Sequence, residues 1–328
     1  MPRPVRGARG AARTSFGRLL PAVPVVLAVL AALTAGCQAE DRDEDEGRSP
    51  FTGRPAEGGA RVLAVKVDNA PQARPHTGLG EADLVYVEQV EAGLSRLVAV
   101  YADRLPDRVG PVRSARESDF ELLAQFDEPA LAYSGVQSRL RDEVADARLI
   151  PVSPDTAPDA YLRDPERAAP HNLYARPAAV LDAAPEAGEA GDIGFAFGEP
   201  PGEGGTRVDR HRVDYPNATF DFTWSEAADG TPGWQVAMDG TPVPGVAPAT
   251  VVVQEVTVRD SEYGDSLGNV TPYTETVGSG DAVVLRDGQA FEAEWERRGE
   301  RSGTEFTTPD GDPLRFATGQ VWVVYAAA

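Results

Sequence analysis

Between residues 61 and 185, hydrophobic and polar positions follow strand periods in some segments and helix periods in others. The run RVLAVKVD at 61–68 is mostly apolar, which is typical of a strand covered on both faces. Two later strand patterns are joined by the short turn 91–94 and predict an antiparallel hairpin. The predicted elements are strands at 61–68, 83–90, 95–103 and 131–136, and helices at 115–126, 138–147 and 176–184.

Beyond residue 206 the pattern changes to short β runs separated by tight turns. Asp-Gly pairs at 229–230, 239–240, 287–288 and 310–311 mark these turns. We therefore predict a small all-β part. Its strands are expected at 219–224, 233–238, 250–258, 273–277, 282–286, 291–297 and 321–325.

The two patterned regions are separated by residues 186–206, which are rich in Gly, Glu and Pro and indicate a linker. Within it, 193–197 also fits an edge strand. A chain of 328 residues is longer than one core usually supports, so two domains are expected. The predicted fold class is α+β, with a mixed α/β ligand-binding domain at 61–185 and a β-rich domain at 207–328.

The start of the chain has the order of an exported lipoprotein. Residues 1–18 carry arginines and no acid, 19–33 are largely apolar, and the stretch LTAGCQ contains Cys37, the only cysteine. This predicts a signal peptide over 1–36 and a diacylglyceryl anchor with acyl chains such as palmitate on Cys37. The alternative is a retained membrane-spanning helix. Residues 37–60 are then the lipidated cysteine and an acidic, disordered tether, and the protein is expected outside the cytoplasm at the membrane.

Charge and cysteine usage exclude several classes of function. The net charge is −21, and removal of the arginine-rich leader makes the chain more acidic still, so nucleic acid is not an expected partner. With Cys37 lipidated, no thiol is left for a disulfide, a thiolate metal site or a cysteine nucleophile. No cofactor is predicted.

The sharpest local signal for binding lies at 110–116. If Ser114 caps a helix, with Glu117 closing a capping box, the free amide groups of the first turn face the space that Arg113 and Arg116 reach. Such a site suits phosphate, sulfate or carboxylate. The alternative is internal pairing with acids of the chain itself, among them Asp83, Glu88, Glu91 and Asp119.

A second candidate is the loop that follows the first strand. Asp68 and Asn69 could bind a cation or accept hydrogen bonds from a sugar, and Arg74 could face an anion, because strand ends commonly hold ligands. His76 is a weaker candidate. The alternative is an ordinary turn.

A third candidate is the loop 169–174, where His171 and Asn172 could supply a general base with an orienting amide. The alternative is a structural hydrogen bond. The other histidines, His76 and His211, lie far away in sequence, so no metal site is predicted.

Several motifs occur in an order that resembles the YerB-like lipoproteins of Gram-positive bacteria, whose folded part is a domain of unknown function. The matching segments are 50–55 (PFTGRP), 63–101, 109–120 (VGPVRSARESDF), 169–174 (APHNLY), 277–295 and 314–323. The resemblance implies a lipid-anchored envelope protein with a mixed first domain and a β second domain, and it implies no reaction. The motif residues carried over are Asp68, Asn69, Arg74, Pro75, Glu88, Glu91, Gly93, Arg96, Arg113, Ser114, Arg116, His171, Asn172 and Tyr174.

A weaker likeness in the order of the first strands is to the LytR-CpsA-Psr phosphotransferases, which hold a polyprenyl pyrophosphate with arginines. We favour a non-catalytic protein that binds an anionic envelope ligand, such as a cell-wall glycan or a polyprenyl phosphate. One alternative is a phosphotransferase or glycan-processing enzyme with Asp68 or Glu88 as base and Mg²⁺ as cofactor. Another is a scaffold that recruits a protein partner in the envelope.

Overall fold

The computed structural model describes residues 47–226, 230–265 and 268–328. The predicted signal peptide and Cys37 lie outside the described residues. In the described ranges no helix is long and apolar enough to cross a membrane. The helices are α1 (Glu117–Leu123), α2 (Arg141–Asp146) and α3 (Pro177–Ala183), with 3₁₀ turns at Pro71–Ala73, Leu79–Glu81, Glu91–Gly93, Ser138–Leu140 and Pro158–Ala160.

Strands dominate the described chain, so the predicted α+β class holds in a sheet-rich form. The strands are β1 (Leu63–Asp68), β2 (Leu84–Gln89), β3 (Ser95–Tyr101), β4 (Ala130–Ala132), β5 (Ile150–Val152), β6 (Tyr161–Arg163), β7 (Leu173–Ala175), β8 (Thr206–Arg207), β9 (Arg210–Tyr215), β10 (Ala218–Glu226), β11 (Pro232–Met238), β12 (Thr241–Pro242), β13 (Thr250–Val256), β14 (Val258–Gly264), β15 (Val270–Thr274), β16 (Gly278–Arg286), β17 (Gln289–Arg297), β18 (Glu305–Thr307) and β19 (Val321–Ala327).

One 11-stranded sheet, which we call the main sheet, organises the chain in the order β18-β17-β16-β13-β19-β2-β3-β1-β4-β5, with β8 beside β17. The predicted hairpin is confirmed as β2 and β3, which pair antiparallel with Glu88 opposite Arg96. A smaller sheet has the order β12-β11-β10-β9, and β14 pairs with β15 in a separate two-stranded hairpin.

The main sheet joins the two parts predicted from the sequence. The last strand, β19, lies parallel to β2, with Trp322 opposite Val85. Both hydrophobic layers on the faces of this sheet contain residues from 61–185 and from 207–328. The predicted domain boundaries therefore mark a change of sequence pattern, and the core crosses them.

The first face of the main sheet is covered by the smaller sheet and by α3. Phe222 of β10 and Trp322 of β19 meet edge to face with ring centroids 6.2 Å apart, and Trp234 of β11 is fully buried in the same layer. On α3, Val180 and Leu181 face this layer. The alternation of apolar positions along β2 and β19 supplies side chains to both faces, as expected for strands buried on both sides.

The second face is covered by α1 and by residues that precede β1. Phe51 is fully buried and meets Phe126 edge to face at 5.4 Å, and the Thr52 hydroxyl donates to Asp103 at 2.7 Å. The prediction of a disordered tether over 37–60 is thus wrong for residues 47–60, which are folded. The composition of this segment is polar on average, but the burial of Phe51 and Thr52 anchors it to the fold.

The segment predicted as a linker also packs on the fold. Ile193 is buried, Phe195 contacts Phe316 with ring centroids 5.0 Å apart, and the Gly198 amide donates to the Phe316 carbonyl at 3.1 Å. The edge-strand alternative for 193–197 is represented only by an isolated bridge between Phe197 and Phe316.

Candidate functional site

A cleft of about 510 Å³ opens where the turn after β2 approaches the segment 110–116. We call it the arginine cleft. On the side formed by that turn and that segment, the charged residues that line the cleft are Glu91, Arg96, Arg113 and Arg116. The β14–β15 hairpin forms the opposite wall.

Asp68 organises the inner side of the arginine cleft. It ends β1 and is fully buried, and its carboxylate lies 3.3 Å from Nη1 of Arg96, 3.2 Å from Nε of Arg113 and 2.7 Å from Nδ1 of His171. Burial alone would raise the pKa of Asp68, but Arg96, the Ala70 amide, His171 and Arg113 together hold that pKa below its ordinary value. Asp68 is therefore a carboxylate committed to internal partners.

Two guanidinium groups share this one carboxylate. Nε of Arg96 and Nε of Arg113 are buried and make no hydrogen bond to the described residues, and Nε of Arg113 contacts the Asp68 carboxylate as an ion pair at 3.2 Å. The Arg113 side chain is 29% exposed, so it combines incomplete pairing with access from the cleft. Burial lowers the pKa of Arg96, Asp68 opposes that change, and the like charges of Arg116 and Arg113 add to it.

Arg116 is instead neutralised inside the protein. Its Nε and Nη2 donate to the two carboxylate oxygens of Glu91 at 2.7 and 2.9 Å, a bidentate pair. Thr271 of β15 also donates to Glu91 at 2.7 Å. Burial would raise the pKa of Glu91, but the bonds from Arg116 outweigh burial and lower it. Arg116 therefore shapes the cleft and leaves its charge largely compensated.

The helix start differs from the prediction, which placed the cap at Ser114. Helix α1 begins at Glu117, and Arg116 is the residue before it. The Asp119 carboxylate accepts from the Arg116 amide at 2.7 Å, while the Ser114 hydroxyl lies 3.4 Å from that of Ser134. A carboxyl oxygen is a stronger hydrogen-bond acceptor for a backbone amide than a hydroxyl oxygen is. The helix therefore begins later in the chain than predicted. The cleft is thus built from guanidinium groups rather than from helix amides.

The hairpin wall carries polar groups that sequence reasoning missed. Tyr263, Asp265, Asn269 and Thr271 line the cleft. Asp265 accepts from the backbone amide of Asn269 at 2.9 Å and from its side-chain amide at 2.8 Å, and these two bonds fix the position of the Asp265 carboxylate. Only the pairing of β14 with β15 and their docking on α1 and α2 bring these residues to the arginines, so no local signal could have found them.

Side-chain bonds hold the hairpin over the helices. Ser261 donates to Glu117 at 2.5 Å, and Gln137 donates to the Gly264 carbonyl at 2.6 Å. The Tyr263 hydroxyl donates to the carboxylate of Glu143 on α2. These contacts fix the far wall of the arginine cleft.

The loop candidates Asn69 and Arg74 lie elsewhere. Arg74 donates to the Asn69 side chain at 3.1 Å, to its carbonyl at 2.9 Å and to Asp239 at 2.7 Å. Asn69 in turn donates to Ser95 at 2.8 Å. The structure therefore favours the ordinary-turn alternative for these two residues, since Arg74 ties the loop to the smaller sheet.

Three further candidates are also separate from the cleft lining. Glu88 is buried against Lys66, Asn172 accepts from Arg163 at 2.9 Å on an exposed surface, and His171 reaches the cleft residues only through Asp68. The sequence pointed to these residues because they are polar and lie at the ends of strands and loops. That pattern does not reveal whether a polar side chain binds a ligand or another side chain of the same protein.

His76 gives a testable pH dependence. Its Nε2 donates to the Asp68 carbonyl at 2.8 Å, and burial lowers its pKa from 6.5 to about 4. Because the folded pKa is the lower one, the unfolded chain binds more protons between these values, and stability falls as the pH drops through that window. His76→Gln is expected to remove a contribution of no more than about 3 kcal/mol to this fall. Urea unfolding of both proteins at pH 7 and pH 4.5 measures the difference, and identical pH dependence would contradict it.

The fold and cleft define a class of protein in which two sequence modules share a sheet and each supplies one wall of a cleft. Residues 51–190 match the N-terminal domain, and residues 211–323 the C-terminal domain, of the family described as protein of unknown function (DUF3048). The chain belongs to this family.

A protein of Bacillus subtilis (strain 168) whose name describes it as a lipoprotein, YerB, is 26% identical over 319 residues, which cover 89% of this chain and 90% of that protein. The crystal structure of YerB from Bacillus subtilis superposes with a TM-score of 0.71 at 23% identity, covering 86% of this chain and 97% of that one. The two chains therefore have the same fold over nearly all of their described length.

Proposed function

We propose that this chain is a lipid-anchored extracytoplasmic protein that binds an anionic ligand of the cell envelope in the arginine cleft. The leader and Cys37 support the anchor, as does the name of the Bacillus subtilis relative. The family description assigns no activity, so the argument for a ligand depends on the cleft itself.

The observation that carries the proposal is the shared carboxylate of Asp68. Arg96 and Arg113 both pair with it, so one carboxylate serves two guanidinium groups, and the Arg113 side chain stays 29% exposed. A phosphate or carboxylate entering the cleft would meet the exposed part of the Arg113 side chain, whose guanidinium binds such anions in a planar, bidentate geometry. Because the chain has a net charge of −21, a cleft lined by several arginines stands out from the acidic composition of the rest of the protein.

The lining indicates a polar, sugar-like ligand that carries the negative charge. Tyr263, Asn269 and Thr271 offer hydroxyl and amide groups across from the arginines, and Leu94 and Leu140 add apolar surface. A volume of about 510 Å³ accommodates a phosphorylated sugar headgroup. The ligand class is thus an anionic glycan or a glycan phosphate of the envelope.

The positions of the acids favour binding over transfer chemistry. The enzymatic alternative requires Asp68 or Glu88 as a base, but Asp68 is fully buried among cations and Glu88 is paired with Lys66 away from the cleft. A general base needs hydrogen-bond reach to the ligand proton that it removes, and neither acid lines the cleft.

Calorimetry with a short-chain polyprenyl phosphate, a teichoic acid fragment and a muropeptide tests the proposal. Arg113→Ala is expected to weaken binding of the recognised ligand by at least about tenfold, because it removes a hydrogen bond to a charged group. Arg113→Lys should recover part of the loss, since it restores the charge without the planar fork.

Arg298→Ala is the matched control. Arg298 is 68% exposed and pairs with Glu296, so its loss should leave affinity unchanged. Absence of binding by the unaltered protein to all three probes, or equal affinity of the Arg113→Ala variant, would overturn the proposal.

A further inference from the structure

Lys66 is the only lysine of the chain, and its side chain is fully buried. It lies in β1 on the second face of the main sheet. Its Nζ donates to Oδ1 of Asp119 at 2.6 Å and also contacts Oε1 of Glu88. A primary amine and two carboxyl groups are thus held together without access to solvent.

The three groups come from three different elements. Lys66 belongs to β1, Glu88 to the neighbouring β2, and Asp119 to α1, which packs on the same face. Asp119 is fully buried and Glu88 is 2% exposed. Such fixed proximity in a water-excluded site converts an encounter between two reactive groups into an intramolecular step.

The charges in this cluster do not balance if all three groups are ionised. Two carboxylates then face one ammonium, with apolar side chains such as Leu122 and Val98 in the same layer. Burial raises the pKa of Glu88, which favours its neutral acid form, although the neighbouring Lys66 opposes that change. Glu88 can therefore hold and pass on a proton.

We propose that Lys66 and Asp119 become joined by an intramolecular isopeptide bond. Nζ passes one proton to Glu88, and its freed lone pair attacks Cγ of Asp119, so that the new N–C bond forms and the bond from Cγ to Oδ1 breaks. Glu88 relays that proton and a second one from the nitrogen to Oδ1, which leaves with both as water. The step is a condensation, so it needs no oxidant, cofactor or second substrate.

Neighbouring groups suit the tetrahedral intermediate of this step. The Arg116 amide donates to Oδ2 of Asp119 at 2.7 Å, so it stabilises negative charge on that oxygen and later binds it as the amide carbonyl. The Ser118 hydroxyl donates to Oε2 of Glu88 at 3.1 Å, which leaves Oε1 directed at Lys66. The product also replaces a buried ion pair, whose desolvation is costly, with a neutral amide.

The bond would fasten α1 to β1 on either side of the segment that carries Arg113 and Arg116. The chain has a single cysteine, so an intramolecular disulfide is closed to it, and a condensation between side chains is another way to cross-link it. The proposal of a cross-link is independent of the proposed ligand. It concerns the rigidity of the segment that carries Arg113 and Arg116, whatever binds beside that segment.

The unique lysine makes the test direct. The full-length mature protein is purified folded, denatured, treated with an amine-reactive label and digested with an arginine-specific protease. We expect no label on Lys66, and mass spectrometry should find the fragment containing Lys66 linked to the one containing Asp119, lighter than their sum by one water. Lys66→Arg and Asp119→Ala should give separate fragments, and Glu88→Gln should slow or abolish the linkage.

A further variant separates chemistry from folding. Asp119→Asn keeps the shape of the side chain, and its reaction releases ammonia instead of water, so the linked fragments must have the same mass as those of the unaltered protein. A labelled ε-amine on Lys66 in the denatured unaltered protein, or a linkage to Glu88 in place of Asp119, would overturn the proposal.

Discussion

Asp68→Asn is expected to lower the free energy of unfolding by about 3–5 kcal/mol, because breaking a buried ion pair from one side leaves the other charge uncompensated. Arg96 and Arg113 would lose the one carboxylate that they share, and His171 would lose its charged partner. Guanidinium chloride unfolding of the variant and the unaltered protein measures the difference.

The same variant has a second expected response. With the negative charge removed, inorganic phosphate should stabilise Asp68→Asn more than it stabilises the unaltered protein, because a ligand of the folded state raises stability by mass action. Asp209→Asn is the control, since Asp209 is 86% exposed, and its unfolding free energy should change by no more than about 0.5 kcal/mol. Equal phosphate responses, or equal stability of the two variants, would contradict the shared-carboxylate arrangement.

Trp322→Ala is expected to cost about 3–5 kcal/mol, the usual range for truncating a fully buried large aromatic side chain. Trp322 lies in β19 between β13 and β2, so its loss should weaken both sequence modules together. We expect one cooperative transition, with hydrogen exchange in β3 and in β10 accelerated in parallel.

Val270→Ala serves as the comparison, because Val270 is 49% exposed and its truncation removes little buried surface. If the variant Trp322→Ala unfolded in two separate steps, one for each module, the inference that the two modules share a single core would be wrong. A loss of stability confined to β10 and its neighbours would lead to the same conclusion.

Local patterns of the sequence were sufficient for elements whose partners are close in the chain. The apolar alternation of 83–90 and 95–103 predicted the β2–β3 hairpin, and the arginines at 110–116 pointed to residues that line the cleft. Both inferences needed only strand period, turn length and residue type, which are encoded within a few neighbouring positions.

Features set by distant contacts could not be predicted in this way. The pairing of β19 with β2 depends on residues far apart in sequence, and the docking of β14–β15 decides the far wall of the cleft. The helix start was misplaced because Asp119, not Ser114, supplies the capping acceptor, and Asp119 also accepts from Lys66 of β1 on the same face of the main sheet. Residue type alone does not distinguish these competing partners.

The placement of Thr271 has a consequence for how this protein can change over evolution. Thr271 comes from the second module yet donates to Glu91 of the first, the acid that holds Arg116. A gene rearrangement that exchanged one half for another would expose that carboxylate and split the sheet at the same time. The two halves are therefore constrained to be inherited as a unit.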